Sequence, residues 1–250
     1  MRMGRARLST PVLLGLGALV CCALAMAQVT ARAVVEHSLA ARGGADGFAA
    51  VHTLSMSGVL QFGTQSAPIS VWLTTEPRRV RIELQLPQGK LIEAYNGKQA
   101  WQITPGSHNA VVLRGSAARR VLDQALCGVD LVAGPGATLS MLGHGQQGGH
   151  SYYKVGFGLP TGDMFVQYID DGNWLAFHMT FPGGVEEISG YQRVGGVLMP
   201  MTIVSGGAGQ AQTTLRYEHV AVNLPVPTAR FEPPVATTGL GPRAPSLVKR

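Results

Sequence analysis

The chain has 250 residues, 20 Lys and Arg against 14 Asp and Glu for a formal charge of +6, and 46% hydrophobic but only 14% charged residues. A typical domain is about one quarter charged. That poverty of charge argues against a solvated, charge-driven binder, and the 33 glycines suit a turn-rich, strongly bent sheet with much apolar surface.

The N-terminus reads as a targeting signal. Arg2, Arg5 and Arg7 form a positive region, Pro11 to Leu24 is uncharged and apolar, and Ala25-Met26-Ala27 fits a small-x-small cleavage site. Residues 1–27 are therefore expected to be a signal peptide, with a mature start near Gln28 and export to the periplasm. An uncleaved anchor is the competing reading, set against an apolar run shorter than the ~20 residues a spanning helix needs. Loss of Arg2, Arg5 and Arg7 takes the charge from +6 to +3. With export, this disfavours nucleic acid as a partner. Of the 3 cysteines, Cys21 and Cys22 would leave, and Cys127 alone makes no internal disulfide. The domain, 28–235, must stand on its core. The four prolines of Pro233 to Arg250 and the lack of apolar periodicity predict a disordered tail over 236–250.

In chain order, Val29 to Ala41 is predicted as a helix closed by Gly43-Gly44, and Ala45 to Val51 as a short second turn. The pattern then switches to strands. Leu54, Met56, Leu60 and Phe62 alternate with polar residues, as do Ile69, Val71 and Leu73. From Val80 to Leu86 the alternation is unbroken: Val80, Ile82, Leu84 and Leu86 share one face, Arg79, Arg81, Glu83 and Gln85 the other. Asn96-Gly97 is a strong hairpin signal before Trp101 and Ile103. Ser116 to Leu131 interrupts the strands as a helix with apolar positions Val121, Leu122, Ala125, Leu126 and Val129, ended by Gly134-Pro135-Gly136. Strands resume at Tyr152–Leu159, Met164–Asp170, Trp174–Phe181, Val185–Val194, Val197–Val204 and Thr213–Leu224. Asp171-Gly172, Pro182-Gly183-Gly184, Gly195-Gly196 and Gly206-Gly207 turn between them.

The expected fold is mainly β: one curved antiparallel meander of about ten or eleven strands, long enough to curl, forming an unclosed barrel. Its concave apolar face would be covered by the N-terminal helix and the inserted helix.

Two motifs carry a family resemblance. Pro77-x-x-Val80-Arg81-Ile82 is followed by Asn96-Gly97-x-x-x-Trp101-x-Ile103-x-Pro105, and Tyr191-x-x-Val194-Gly195-Gly196-Val197-x-x-Pro200 comes later. With Leu39-Ala40-Ala41-Arg42-Gly43-Gly44 near the start and Arg230-Phe231-x-x-Pro234 at the end, their order resembles the bacterial outer-membrane lipoprotein carrier and the lipoprotein-sorting protein-like (LolA-like) family over about residues 30 to 235. The resemblance implies an unclosed β-barrel with a helical lid. It also implies a role in lipoprotein sorting and outer-membrane biogenesis. Acyl chains of a lipoprotein or lipid would be the cargo, envelope proteins of the inner and outer membranes the partners, and the protein a monomer without cofactor. The alternative is a non-transporting envelope domain of the same fold that binds a protein partner or senses envelope state.

An apolar hollow holds lipid by burying methylenes at ~0.8 kcal/mol each, so roughly two or three acyl chains suffice for tight, reversible holding. The candidate cavity residues are Leu60, Phe62, Val71, Leu73, Val80, Ile82, Leu84, Trp101 and Ile103; the competing reading is an ordinary packed core. The resemblance implies that Arg81 latches the lid, whereas the alternation puts Arg81 on the polar face with Arg79. Arg78, Arg79, Arg81, Arg114, Arg119 and Arg120 could meet lipid phosphates or form a solvated basic face. No catalytic or metal site is expected. The histidines lack a His-x-x-x-His spacing, no Gly-x-Ser-x-Gly exists, Cys127 reads as a buried thiol, and Asp170-Asp171 as turn chemistry.

Overall fold

Ala31, Val34, Val35 and Ser38 recur at helical spacing, and all four are buried on one side of α1 (Ala31–Ala41). Thr30 caps the helix, its hydroxyl accepting from the Ala33 amide at 3.2 Å. Gly43, with φ of +127°, ends it: a Cβ there would stand 2.8 Å from the Gly196 carbonyl oxygen, so only glycine fits. The structure, a computed structural model, describes residues 29–127, 136–207 and 210–234. The expected signal peptide, the expected tail and the side chains of Leu126 and Cys127 lie outside that set. Among the described residues no helix is long and apolar enough to cross a membrane.

A short α2 (Gly44–Ala49) follows, then β1 (Thr53–Phe62), β2 (Gln65–Thr75), β3 (Arg78–Leu86), β4 (Gly89–Tyr95), β5 (Ala100–Ile103) and β6 (Val111–Val112). The Asn96-Gly97 turn joins β4 to β5, with Asn96 Oδ1 accepting from the amides of Lys98 and Gln99 at 3.0 Å each. The inserted helix α3 (Gly115–Cys127) comes next; its expected continuation toward Leu131 lies outside the described residues. The second half runs β7 (Thr138–Gln147), β8 (His150–Gly158), β9 (Met164–Asp170), β10 (Ala176–Phe181), β11 (Gly184–Ser189), β12 (Gln192–Val194), β13 (Val197–Met199), β14 (Thr202–Gly207) and β15 (Gln210–Val222), closed by a 3-10 turn, Thr228–Phe231.

Thirteen strands form one antiparallel sheet in the order β6-β5-β4-β3-β2-β1-β15-β14-β11-β10-β9-β8-β7. The sheet is curved and unclosed, with β6 and β7 as its edges among the described residues, and α3 lies between those two strands in sequence. The expected meander is thus two meanders joined where the first strand pairs with the last, Leu54 opposite Val222 through Phe62 opposite Thr213.

Among the described residues fifteen strands replace the expected ten or eleven, for local reasons. Gly190, at φ of +68°, and Pro200, which has no amide to donate, each break an expected strand in two. The freed β12–β13 hairpin leaves the sheet and folds over α2, burying Val197 and Met199 against Phe48, Val51 and Leu54. It is stapled to the end of α1 by the Leu198 amide, which donates to the Arg42 carbonyl at 2.6 Å.

Register decides which residues face the helices. Leu54, Leu73, Val80, Tyr95 and Ala100 stand in one cross-strand row, and Met56, Val71, Ile82, Glu93 and Gln102 in the next. This inner face meets all three helices. α1 packs on β7–β10 through Val34, Val35, Val155, Phe157 and Ile169. α2 packs on Leu54 and Leu73. α3 packs on Ile69, Val71, Val80 and Ala100 through Val121 and Ala125.

Candidate functional site

Between the inner face and α3 lies a hollow of about 410 Å³. β1–β3 line it with Met56, Leu60, Val71, Ile82 and Leu84, and β14–β15 with Ile203, Leu215 and Tyr217. Two of the larger clefts have a different character. One of about 690 Å³, between α2 and the β2–β3 turn, carries His52, Glu76 and Arg78. The other, of about 770 Å³ beside the β3–β4 hairpin, carries Arg81, Lys90, His108 and Glu232. The concave hollow is the one with a predominantly aliphatic wall, as an apolar ligand requires.

Of the expected cavity residues, Leu60, Val71, Leu73, Val80, Ile82 and Leu84 line this hollow. Phe62 shares their face but sits at the far end of β1, beyond the lining. Trp101 and Ile103 face the other way. They form an outer cluster with Ile92 and Ala94, since Ala100 of β5 takes the inward position. Trp101 is fully buried there, and its indole donates to the Phe231 carbonyl at 2.9 Å.

Arg81 belongs to the same outer face, and its bonds among the described residues run to the closing turn and along β3, away from α3. Its Nη1 donates to the Arg230 carbonyl at 2.8 Å, its Nε to Glu83 at 2.8 Å, and its guanidinium lies 5.4 Å from the Trp101 ring centre. Burial pushes the Glu83 carboxyl up, but Lys90 and Arg81 outweigh it and hold the group below the ordinary value. Arg81 thus ties the chain's closing turn to the back of β3, as its place in the alternation predicts. Arg79 also stays off the hollow, donating to the Asn96 carbonyl at 3.1 Å.

The groups that do hold α3 are on α3 itself. Arg120 reaches Glu93 of β4 at 2.8 Å, and Glu93 stands on the inner face because it falls in register between Ile82 and Gln102. On the other side, Thr161 in the β8–β9 loop donates to Asp123 Oδ1 at 2.8 Å. Between these tethers, Val121 and Ala125 are wholly buried. The helix therefore closes the hollow by bridging both halves of the sheet. A carboxylate on β4 and a threonine in a distant loop give no sequence signal until register and topology bring them to α3.

Asp123 also meets Asp163. Burial pushes its carboxyl from 3.8 up to about 6, and Asp163 adds to the rise, against the Thr161 bond and the Arg119 charge. A folded value above the unfolded one means that the seated helix keeps a proton the free chain would release. That contribution is fully present below about pH 4 and is lost as pH rises through about 6. Amide exchange in α3, corrected for its intrinsic pH dependence, is expected to be slower at pH 5 than at pH 7.5, and Asp123→Asn should remove most of the difference. Equal protection at both values in the unsubstituted protein would refute a proton-dependent seat.

Glu186 of β11 faces the hollow as well. Burial raises its carboxyl, opposed by a bond from Ser205. Burial, then the nearby Glu186 charge, raises the Tyr217 phenol. Gln124 and Glu186 line both the hollow and a groove of about 610 Å³ on its far side, which runs between α3 and β9–β11 and carries Arg119, Arg120, Asp123 and Asp163. They mark the mouth of the hollow.

A serine, a histidine and an aspartate do meet elsewhere. Ser151 Oγ donates to Asp171 Oδ2 at 2.6 Å, and His144 Nε2 lies 2.8 Å from the same oxygen and 3.3 Å from Oγ. An acyl-transfer relay places the imidazole between carboxylate and hydroxyl, one on each nitrogen. Here one nitrogen meets both and the hydroxyl is spent on the carboxylate, so this geometry does not activate Ser151. Asp170 Oδ1 accepts from the amides of Gly172 and Asn173 at 2.9 and 3.0 Å, closing the β9–β10 turn. Among the described residues no cluster of three metal-ligating side chains occurs.

No family model matches the sequence, and no curated protein does. Solved structures do match. A LolA superfamily protein from Nitrosomonas europaea aligns over 82% of this chain and 98% of its own, with a TM-score of 0.55 at 12% identity. The fold is LolA-like. A DUF1329 family protein from Desulfovibrio piger shares it, aligning over 81% of this chain and 97% of its own with a TM-score of 0.59 at 10% identity. At such identities the likeness is of framework alone.

Proposed function

We propose that the protein binds acyl chains of lipids or lipoproteins in the hollow beneath α3 and carries them in the periplasm, without catalysis or cofactor. The observation that carries this reading is an aliphatic cavity bordered by a helix that packs on the sheet through Val121 and Ala125 and is tethered at its flanks by Arg120–Glu93 and Asp123–Thr161. Each buried methylene contributes ~0.8 kcal/mol, so affinity comes from the wall and release needs only the roof to lift. The N-terminal signal pattern and the LolA-like fold support an exported location and a role in outer-membrane sorting.

Native mass spectrometry of the protein purified gently from the periplasm tests the proposal. Adducts of lipid mass, lost on collisional activation, are expected. A clean mass together with no uptake of a fluorescent fatty-acid probe would rule the carrier reading out.

A further inference from the structure

The hollow's size bears on what it carries. At the ~30 Å³ that a water-sized group occupies in a liquid, 410 Å³ holds roughly fourteen methylene-sized groups. Three chains of about sixteen carbons would need on the order of 1,400 Å³. Beside the hollow, Val121 and Ala125 are wholly buried against Ile69, Val71 and Val80, and widening it along that side would lift them. Arg120–Glu93 and Asp123–Thr161 hold the roof from both sides.

We infer that, with α3 seated, the hollow accepts one acyl chain, and that the ligand is a single-chain amphiphile whose polar head stays in the groove between α3 and β9–β11. This rests on the acyl-binding reading above and narrows it, since roughly two or three chains would otherwise suffice for tight holding. The mouth supports the orientation. Gln124 and Glu186 border both the hollow and the groove, so a chain that fills the first leaves its head in the second. The groove is mixed in sign. Arg119, Arg120 and Asp123 come from the helix, while Asp163 and Glu186 come from the sheet side. A head that carries both a phosphate and an amine meets groups of both signs there, so lysophosphatidylethanolamine is a suitable probe.

The test is a titration of the purified, delipidated protein, expressed as the full chain and processed by its host, with three probes read by native mass spectrometry. They are lysophosphatidylethanolamines with chains of about ten to eighteen carbons, a phosphatidylethanolamine with two such chains, and a cysteinyl peptide with three. One lyso molecule per protein is expected, with affinity rising about fourfold per added methylene and levelling off near fourteen to sixteen carbons, roughly where the hollow is full. The two- and three-chain probes should bind at least tenfold more weakly. Leu215→Trp, which fills the hollow, should weaken the lyso probe at least tenfold while far-UV circular dichroism stays unchanged. Equal or tighter binding of the two- or three-chain probe, or two lyso molecules per protein, would overturn the single-chain inference and leave the acyl-binding reading standing. Binding of none of the three would overturn both, as would lyso binding indifferent to Leu215→Trp, because the lipid would then sit outside the hollow.

Discussion

Replacing Trp101 with alanine is expected to destabilise the protein by about 3–5 kcal/mol, a fall in melting temperature on the order of 10 °C for a domain of this size, without changing its capacity for lipid. The indole has no exposed surface. It packs with Ile92, Ala94 and Ile103 and donates to the Phe231 carbonyl at 2.9 Å. Truncation would empty the middle of the outer cluster and strip the closing 3-10 turn of one anchor. The turn has others, from Arg81 to the Arg230 carbonyl and from Asn96 Nδ2 to Glu232 at 2.7 Å, so the loss should be large but not total. None of these residues lines the hollow. Thermal unfolding by circular dichroism measures the cost, and probe uptake well below the transition measures the capacity. Arg81→Leu is the companion experiment: uptake should stay the same, with the destabilisation confined to the closing turn. Loss of uptake in either variant while the sheet is intact would contradict the outer-face assignment.

Val121→Asp should have the opposite signature. The valine is wholly buried beneath α3 among Ile69, Val71, Val80 and Ala100, an aliphatic setting for a carboxylate. Burying the new charge unpaired would cost several kcal/mol or more, whereas lifting one helix forfeits only its own apolar contacts and the Arg120–Glu93 and Asp123–Thr161 tethers. The cheaper outcome is an unseated α3 above an intact sheet. Hydrogen exchange should show α3 amides losing protection while β1, β2 and β15 keep theirs, and a bound fluorescent acyl probe should dissociate at least tenfold faster. Simultaneous loss of protection in helix and sheet would mean that α3 belongs to the cooperative core and is not a lid.

The sequence made the framework legible because the signals were local. Alternation from Val80 to Leu86 placed β3 and sent Arg79, Arg81, Glu83 and Gln85 to its outer face. Asn96-Gly97 placed a hairpin, and helical spacing placed Val121 and Ala125 on the buried side of α3. β7 was missed for the converse reason. Its Leu139 and Met141 alternate, but an irregularity between Met141 and Gly143 shifts the faces and leaves Leu142 44% exposed, while two glycines dilute the strand signal. β6 is two residues long and has no period to detect. The closure of the first strand on the last, β1 on β15, is non-local, and so are the α3 tethers.

Trp101 and Ile103 show where pattern reading failed. Apolar residues alternate on β5 as they do on β3, but alternation does not say which face is the inner one. Register does: Ala100 opposite Tyr95, and Tyr95 opposite Val80, carry the inner face across β4 and turn Trp101 outward. In this chain the segment from Asn96 to Pro105 thus anchors the closing turn through Trp101, and it bears on the fold more directly than on the site.

The most direct test of the central claim, that acyl chains occupy the inner hollow beneath α3, is site-resolved photolabelling. A fatty-acid probe with a diazirine at the chain end would be bound, irradiated and mapped by peptide mass spectrometry. The expected labels fall on Leu60, Val71, Ile82, Ile203 and Leu215, are suppressed by excess unlabelled lipid, and spare Trp101 and Ile103. Labelling concentrated on the outer face, or scattered and indifferent to competitor, would contradict the account.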